Sequence, residues 1–282
     1  MQRRQFLLFS LTAAAGATAM RGAAAVALKF GHRQANMVDD AGPAVFDLAK
    51  QIHGLSGVEL QVYFKGTTLC DQATLAAYQR AAERTGLTIP SLAGVWPPGA
   101  TLLQPTAEAN LRNAIHAAES VHATTILAAC FEQNCPKMDQ EQSYGPVVAL
   151  LQKVSGAARD AGVTIGMETS NAPAEDRKLI DLVDRPGVRV YYDLDNVERY
   201  AHTGEAVPGI AILKSRIRQV HLKNEDRLLE EPGRVNWADA VKGLAAIGYS
   251  GWFVFETSHS DPQQCIDATR KNIAFVTSHY AS

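Results

Sequence analysis

The sequence is poor in cysteine: four in 282 residues, Cys70, Cys130, Cys135 and Cys265, with no CxxC pair and no zinc-ribbon spacing. A chain of this length buries a full core without covalent staples, so all four are expected as thiols. Cys130 and Cys135 are the nearest pair should an oxidising compartment permit a disulfide. Positive charge is not in excess, with 27 Lys and Arg against 29 Asp and Glu. That balance excludes binding driven by nucleic-acid phosphates or by an acidic membrane surface. No apolar run reaches the roughly 20 residues a helix needs to cross a bilayer. The usual phosphate and nucleophile signatures are missing too. After the apolar run 26–30 the chain reads Gly31-His32-Arg33-Gln34-Ala35 instead of GxGxxG, and it holds no P-loop, HExxH or GxSxG. No Pro- or Ser-rich linker divides it. The remaining composition, 46% hydrophobic and 20% charged, is that of an ordinary globular enzyme or binding protein.

The N-terminus differs in kind from the rest. Arg3-Arg4 precede Gln5-Phe6-Leu7, an uncharged stretch over 7–20, and the small residues Ala23-Ala24-Ala25 that a signal peptidase requires. This segment resembles a twin-arginine export signal. Residues 1–25 are therefore expected to be an address and 26–282 one mature domain. The twin-arginine export machinery would be a partner and the periplasm, or another exported location, the destination. Losing Arg3, Arg4 and Arg21 would leave an acidic mature chain. Export of this kind carries folded proteins with a cofactor already loaded, which suits a metal enzyme.

From residue 26 onward short apolar runs alternate with longer amphipathic stretches. The runs are 26–30, 58–64, 87–92, 124–129, 163–167, 188–192, 217–222 and 252–255. Each is short and rich in β-branched, leucine or aromatic residues, as parallel strands buried on both faces are. Helical period marks 44–52, 72–85, 107–121, 145–161 and 237–247 between them. Gly86, Gly162 and Gly187 stand where helices should stop and strands begin. Eight such units in roughly 255 residues predict an α/β fold, a single-domain (β/α)8 TIM barrel. A doubly wound open sheet is disfavoured by the missing dinucleotide turn.

In a barrel of this kind the carboxyl ends of the strands converge on one mouth, where active sites are found. The last four strands each finish on an ionisable side chain: Glu168 after Met167, Asp193 after Tyr192, His221 after Val220 and Glu256 after Phe255. Separations of 25, 28 and 35 residues bring one to each successive unit. Three carboxylates and an imidazole aimed into one pocket repel one another unless a cation stands between them. One divalent metal ion meets that need. A mixed oxygen and nitrogen donor set suits Mn2+, Mg2+, Co2+ or Zn2+.

The stretches Gly57-Val58-Glu59-Leu60, 163–168, Tyr192-Asp193, Val220-His221-Leu222-Lys223 and Gly248-Tyr249-Ser250-Gly251-Trp252 through Glu256 resemble the xylose-isomerase-like barrel superfamily. The resemblance covers essentially the whole mature chain. That group includes sugar-phosphate isomerases and epimerases, ketose 3-epimerases, inosose dehydratase and barrel-type apurinic endonucleases. It implies that Glu168, Asp193, His221 and Glu256 are metal ligands, that Arg227, six residues past the His, binds substrate, and that Glu59 joins a polar network in the barrel. The chain also departs from the ketose 3-epimerases. Asn196 stands where they carry a His, Ala174 replaces a second Glu, and their Glu-Gly-x-Val-Asp-Trp signature reads Pro232-Gly233-Arg234-Val235-Asn236-Trp237.

The chemistry expected is removal of a proton next to a carbonyl, through an enediolate, on a carbohydrate substrate. Glu168 and Glu256, on opposite sides of the ion, would remove and return the proton. Return to the opposite face gives epimerisation, return to the neighbouring carbon isomerisation, and loss of a β-substituent a lyase or dehydratase acting on a keto-sugar or 3-keto-glycoside. Lys223 would hold a substrate oxyanion beside Arg227. Trp96 would form an apolar wall against a sugar face, and His32, ending the first strand, would point into the same mouth. Asn196 would contact substrate or orient Asp193. A non-catalytic sugar-binding barrel would not need two ionisable glutamates on the ion. The endonuclease reading fails because the extra histidines of a three-zinc site are missing: the corresponding places read Leu92-Ala93-Gly94, Ala128-Ala129-Cys130 and Asn196.

Overall fold

A computed structural model describes residues 27–37, 42–259 and 261–281, so the export signal expected over 1–25 lies outside the described residues. Eight strands close into a barrel: β1 (Lys29–Arg33), β2 (Gly57–Gln61), β3 (Leu92–Ala93), β4 (Thr125–Cys130), β5 (Thr164–Thr169), β6 (Val188–Asp193), β7 (Ile217–Leu222) and β8 (Trp252–Phe255). Every neighbouring pair is parallel, and β1 bonds to both β2 and β8. Around the barrel run α1 (Val45–Lys50), α2 (Gln72–Thr85), α3 (Ala107–Ser120), α4 (Glu141–Asp160), α5 (Pro173–Val183), α6 (Leu194–Arg199), α7 (Ala206–Leu213), α8 (Trp237–Ala246) and α9 (Pro262–Tyr280). A single turn, Gln34–Met37, follows β1, and a small hairpin pairs Tyr63–Phe64 with Thr67–Thr68. Among the described residues no helix is long and apolar enough to cross a membrane.

Local chemistry explains the boundaries. The helix read at 72–85 starts where Asp71 accepts a hydrogen bond from the Thr74 amide at 2.8 Å, and ends at Gly86 with φ +70°. The third strand is shorter than the expected 87–92. Pro90 has no amide to give to a ladder, and before Leu92 a bridge between Gly57 and Thr88 and a bond from the Leu60 amide to the Ser91 carbonyl at 3.2 Å join this segment to β2. The first strand runs to Arg33, three residues past the expected end at Phe30. Helices α5, α6, α7 and α9 are additional to those expected. The start of α5 is set by Pro173 in its first turn and by the Ala172 amide donating to Glu175 at 3.0 Å.

Strand residues alternate between the barrel interior and the helix layer, so register decides what reaches the mouth. The outward-facing residues Phe30, Val58, Leu60, Phe253 and Phe255 join helix residues such as Leu111, Ile115 and Leu179 in one continuous apolar core. The interior holds a much smaller apolar group, Ala93, Leu127 and Tyr191, with Ala129 against it. Val254 also points inward, and polar side chains such as Glu59, Ser91, Gln219 and His221 share the interior.

Candidate metal centre

Four strands deliver the candidate ligands. Glu168 lies one residue from the end of β5, Asp193 ends β6, His221 lies one residue from the end of β7, and Glu256 follows β8 directly, its amide donating to the Leu222 carbonyl at 3.0 Å. The register sets Asp193 beside His221, so both side chains point the same way. One ligand atom from each of the four residues lies within 4.8 Å of the other three. His221 Nδ1 is 3.1 Å from Glu168 Oε1, 3.5 Å from Glu256 Oε2 and 3.7 Å from Asp193 Oδ2. Glu168, Asp193 and His221 are buried, and Glu256 is partly open to the mouth. Asp193 has two tasks. Its Oδ1 caps α6 by accepting from the Asn196 amide at 3.0 Å, which leaves Oδ2 facing the other ligands.

A buried polar network sets the orientation of His221. Its Nε2 donates to Glu59 Oε1 at 3.1 Å, so Nδ1 is the nitrogen presented to the carboxylates. The second oxygen of Glu59 accepts from Ser91 Oγ and from Tyr191 Oη, each at 2.6 Å. Gln219 Nε2 in turn donates to Ser91 Oγ at 2.7 Å and to Tyr191 Oη at 2.9 Å. Burial alone would raise the Glu59 carboxyl, but the His221 ring, Arg33 and the Ser91 hydroxyl outweigh it and hold Glu59 ionised, down to about 2. Burial likewise works against a charged His221, yet Glu59 and Glu168 hold its pKa up to about 9.

Two permanent cations also enter. Lys223 Nζ lies 2.7 Å from Asp193 Oδ2, 2.9 Å from Glu256 Oε2 and 3.0 Å from Asn196 Oδ1. Arg33 donates to Glu256 and, at 3.2 Å, to Gln61, with its Nε 3.9 Å from Glu59. Four carboxylates (Glu59, Glu168, Asp193 and Glu256) face these two cations, so once a metal ion takes the place of the proton on His221 two negative charges remain. A divalent cation on the Nδ1 side of His221 would supply that balance. Asp193 shows the deficit locally. Burial and the charge of Glu168 raise its carboxyl in spite of Lys223, and no hydrogen bond is aligned on its Oδ2. The donor set, three carboxylates and one imidazole, fits Mn2+, Mg2+, Co2+ or Zn2+, with Glu168, Asp193, His221 and Glu256 able to hold the ion.

Of the softer candidates, Lys223 and Asn196 lie inside the centre. Asn196 Nδ2 donates to Glu168 Oε1 at 3.2 Å, so it orients that carboxylate as well as Asp193. Trp96 is half-buried near the mouth, its Nε1 donating to the carbonyl of Ala129, the register neighbour of Glu168. His32 is a correction. It pairs with Phe255 and Val58, both outward-facing, so it points away from the mouth, and Arg33 takes the inward place beside Glu59. Arg227 lies outside the centre. It is exposed and bonded within its own loop, to Glu225 and to the Pro232 carbonyl. The residues not foreseen are Arg33, Ser91, Tyr191 and Gln219. Strand alternation counted from Glu59 would have found Arg33.

An eight-stranded parallel barrel with one ionisable side chain from each of its last four strands at the mouth defines a class of TIM barrel. The chain belongs to the xylose isomerase-like TIM barrel family, which it matches over residues 46–279. A comparison with curated protein sequences gives no match. Among solved structures, D-psicose 3-epimerase in the presence of D-fructose is similar with a TM-score of 0.74 at 15% identity, covering 90% of this chain and 100% of that one. For 3-keto-D-glucoside 4-epimerase from E. coli the TM-score is 0.72 at 16% identity, covering 89% and 99%. For D-allulose 3-epimerase from Methylomonas sp. in complex with D-allulose it is 0.72 at 18%, covering 89% and 97%. At these identities the likeness is one of fold.

Proposed function

We propose that the chain is a divalent-metal-dependent sugar isomerase or epimerase that moves a proton next to a carbonyl. The observation that carries this reading is that Glu168 and Glu256 both approach His221 Nδ1, at 3.1 and 3.5 Å, in one mouth. Glu168, Asp193, His221 and Glu256 would hold the ion. When bound, it polarises a carbonyl and stabilises the negative charge that develops as the neighbouring proton leaves. Either glutamate can take that proton. Glu168 is held by Asn196, while Glu256 is held by Lys223 and Arg33. The other glutamate, carrying a proton taken from solvent, gives it to the opposite face for epimerisation, or the first glutamate returns its own to the adjacent carbon for isomerisation. Trp96 would line the sugar-binding side of the mouth. The sugar epimerases among the structural neighbours support this substrate class.

A second reading, a lyase or dehydratase on a keto-sugar or 3-keto-glycoside, uses the same residues. It is supported by export, which we propose from Arg3-Arg4 and the apolar stretch after them, and by the 3-keto-D-glucoside enzyme among the neighbours. The test is incubation of Mn2+- or Co2+-loaded protein in D2O with free ketoses and with a 3-keto-glucoside, followed by proton NMR. Epimer or isomer carrying solvent deuterium is the expected result. Eliminated product moves the assignment to the lyase, and absence of exchange in every substrate overturns both.

A further inference from the structure

Behind the mouth, on the far side of β1, three potential ligands converge from separate elements. His32 comes from β1, His259 from the segment after β8, and Cys265 from the first turns of α9. One ring nitrogen of each histidine and the Cys265 sulfur lie within 4.8 Å of one another. We propose that His32, His259 and Cys265 form a second metal site, selective for a thiophilic divalent cation such as Zn2+ and sharing no ligand with the mouth.

The clearest sign is the state of His32. Its Nδ1 lies 3.1 Å from the Arg33 carbonyl, which can only accept, so Nδ1 carries the proton. Nε2 is then a bare lone pair. It is fully buried and has no hydrogen-bond partner, an arrangement that costs free energy unless something accepts the lone pair. A carbonyl fixing one ring nitrogen while the other faces a cation is the usual second-shell arrangement of a metal-bound histidine. Burial and the neighbouring His259 keep this ring neutral, as a ligand must be. The two imidazoles lie with ring centroids 5.6 Å apart. Cys265 is buried at the base of α9, its amide bonded to the Asp261 carbonyl at 3.1 Å. Burial holds its thiol protonated, so binding displaces one proton from sulfur to solvent and forms a cation–thiolate bond. Burial lowers the His259 pKa below its ordinary value, with Asp226 and Asp261 offsetting only part of the shift. Two nitrogens and one sulfur, with water completing a tetrahedron, suit zinc. The oxygen-rich mouth suits harder ions. An ion bound there would tie β1 and α9 to the segment that leads away from Glu256.

The sulfur separates the two sites experimentally, because the four candidate ligands at the mouth offer none. Purified protein titrated with Co2+ should develop a thiolate-to-cobalt charge-transfer absorption in the near ultraviolet, saturating at about one ion per chain for that band. Cys265→Ser should abolish the band. His259→Ala, at a half-buried position whose loss a folded chain tolerates, should weaken Co2+ binding by about tenfold or more. Zn2+ should raise the thermal midpoint of the wild-type chain more than that of Cys265→Ser, with circular dichroism confirming that both are folded. A protein that shows no sulfur band at saturating Co2+ overturns the proposal. So does a band that persists in Cys265→Ser, which would assign the signal to another thiol.

Discussion

The two halves of the barrel do different work at the same mouth. Strands β5 to β8 each bring one candidate ligand: Glu168, Asp193, His221 and Glu256. Strands β1 and β2, with the segment entering β3, bring none. They supply Arg33, which pairs with Glu256, Glu59, which orients His221, and Ser91, which hydrogen-bonds Glu59. Under the proposed function, the ligand half would set which ion and which proton transfer are possible. The supporting half sets the charge and tautomer on which the ligands depend. Buried carboxylates are tolerable only when both halves are present, since an isolated buried charge costs several kcal/mol.

The sharpest way to separate the halves is to remove the reacting group while leaving its neighbours. Glu168→Gln preserves shape and one coordinating oxygen but removes the base. Turnover of the preferred sugar should fall by about 10^3-fold or more, measured as kcat with metal content checked on the same sample. Near-normal kcat would take Glu168 out of the proton transfer. In the supporting half, Glu59→Gln leaves the four ligands untouched and weakens the hold on His221 Nε2. Metal affinity should drop by about 10–100-fold, read by competition with a chelator. An unchanged affinity would show that the His221 tautomer needs no carboxylate behind it.

This division also explains what was legible in the sequence. Each candidate ligand ends a strand, and the strands recur at the length of a βα unit, so Glu168, Asp193, His221 and Glu256 could be read from spacing alone. The supporting residues carry no such signal. Arg33 is not legible because the apolar run ends before it, and reading His32 as the strand's inward end depends on a register that the sequence does not give. The pairing of Arg33 with Glu59 and of His32 with Val58 settles it the other way. Tyr191 and Gln219 sit within runs that read as core, and only the closed barrel brings them to Glu59. Helix α6 was missed because its start is set by the cap that Asp193 provides, a contact no hydrophobic period reports. Helix α7, with Pro208 and Gly209 inside an apolar stretch, shows no amphipathic stripe.

A smaller effect tests how closely the supporting network is knit. Tyr191→Phe removes one of the two hydroxyl donors on Glu59 Oε2 and leaves Gln219 with one acceptor fewer. The variant should lose about 1–3 kcal/mol of stability in denaturant unfolding while keeping its metal. Loss of the metal at full stability would instead show that Tyr191 acts on the candidate ligands and not on the packing of the network.

The smallest expected effect concerns Arg227, where family spacing and observed geometry disagree. Counting six residues from His221 assigns it to substrate, but the loop after β7 does not run straight. Glu225 adopts φ +53°, and the Arg227 amide turns back to the Asn224 carbonyl at 3.0 Å. Asn224 Nδ2 closes the loop by donating to the carbonyls of Leu228 and Glu231 at 2.8 and 2.9 Å. The guanidinium is thereby directed to Glu225 and Pro232, in solvent, where an ion pair contributes little. Lys223, only four residues earlier, already lies against two of the candidate ligands. Arg227→Ala should therefore change kcat/KM by less than about threefold, a shift on the order of the 0–1 kcal/mol of an exposed pair. A rise in KM of a hundredfold would mean that the loop reopens around substrate and that the family spacing, not the free geometry, places this arginine.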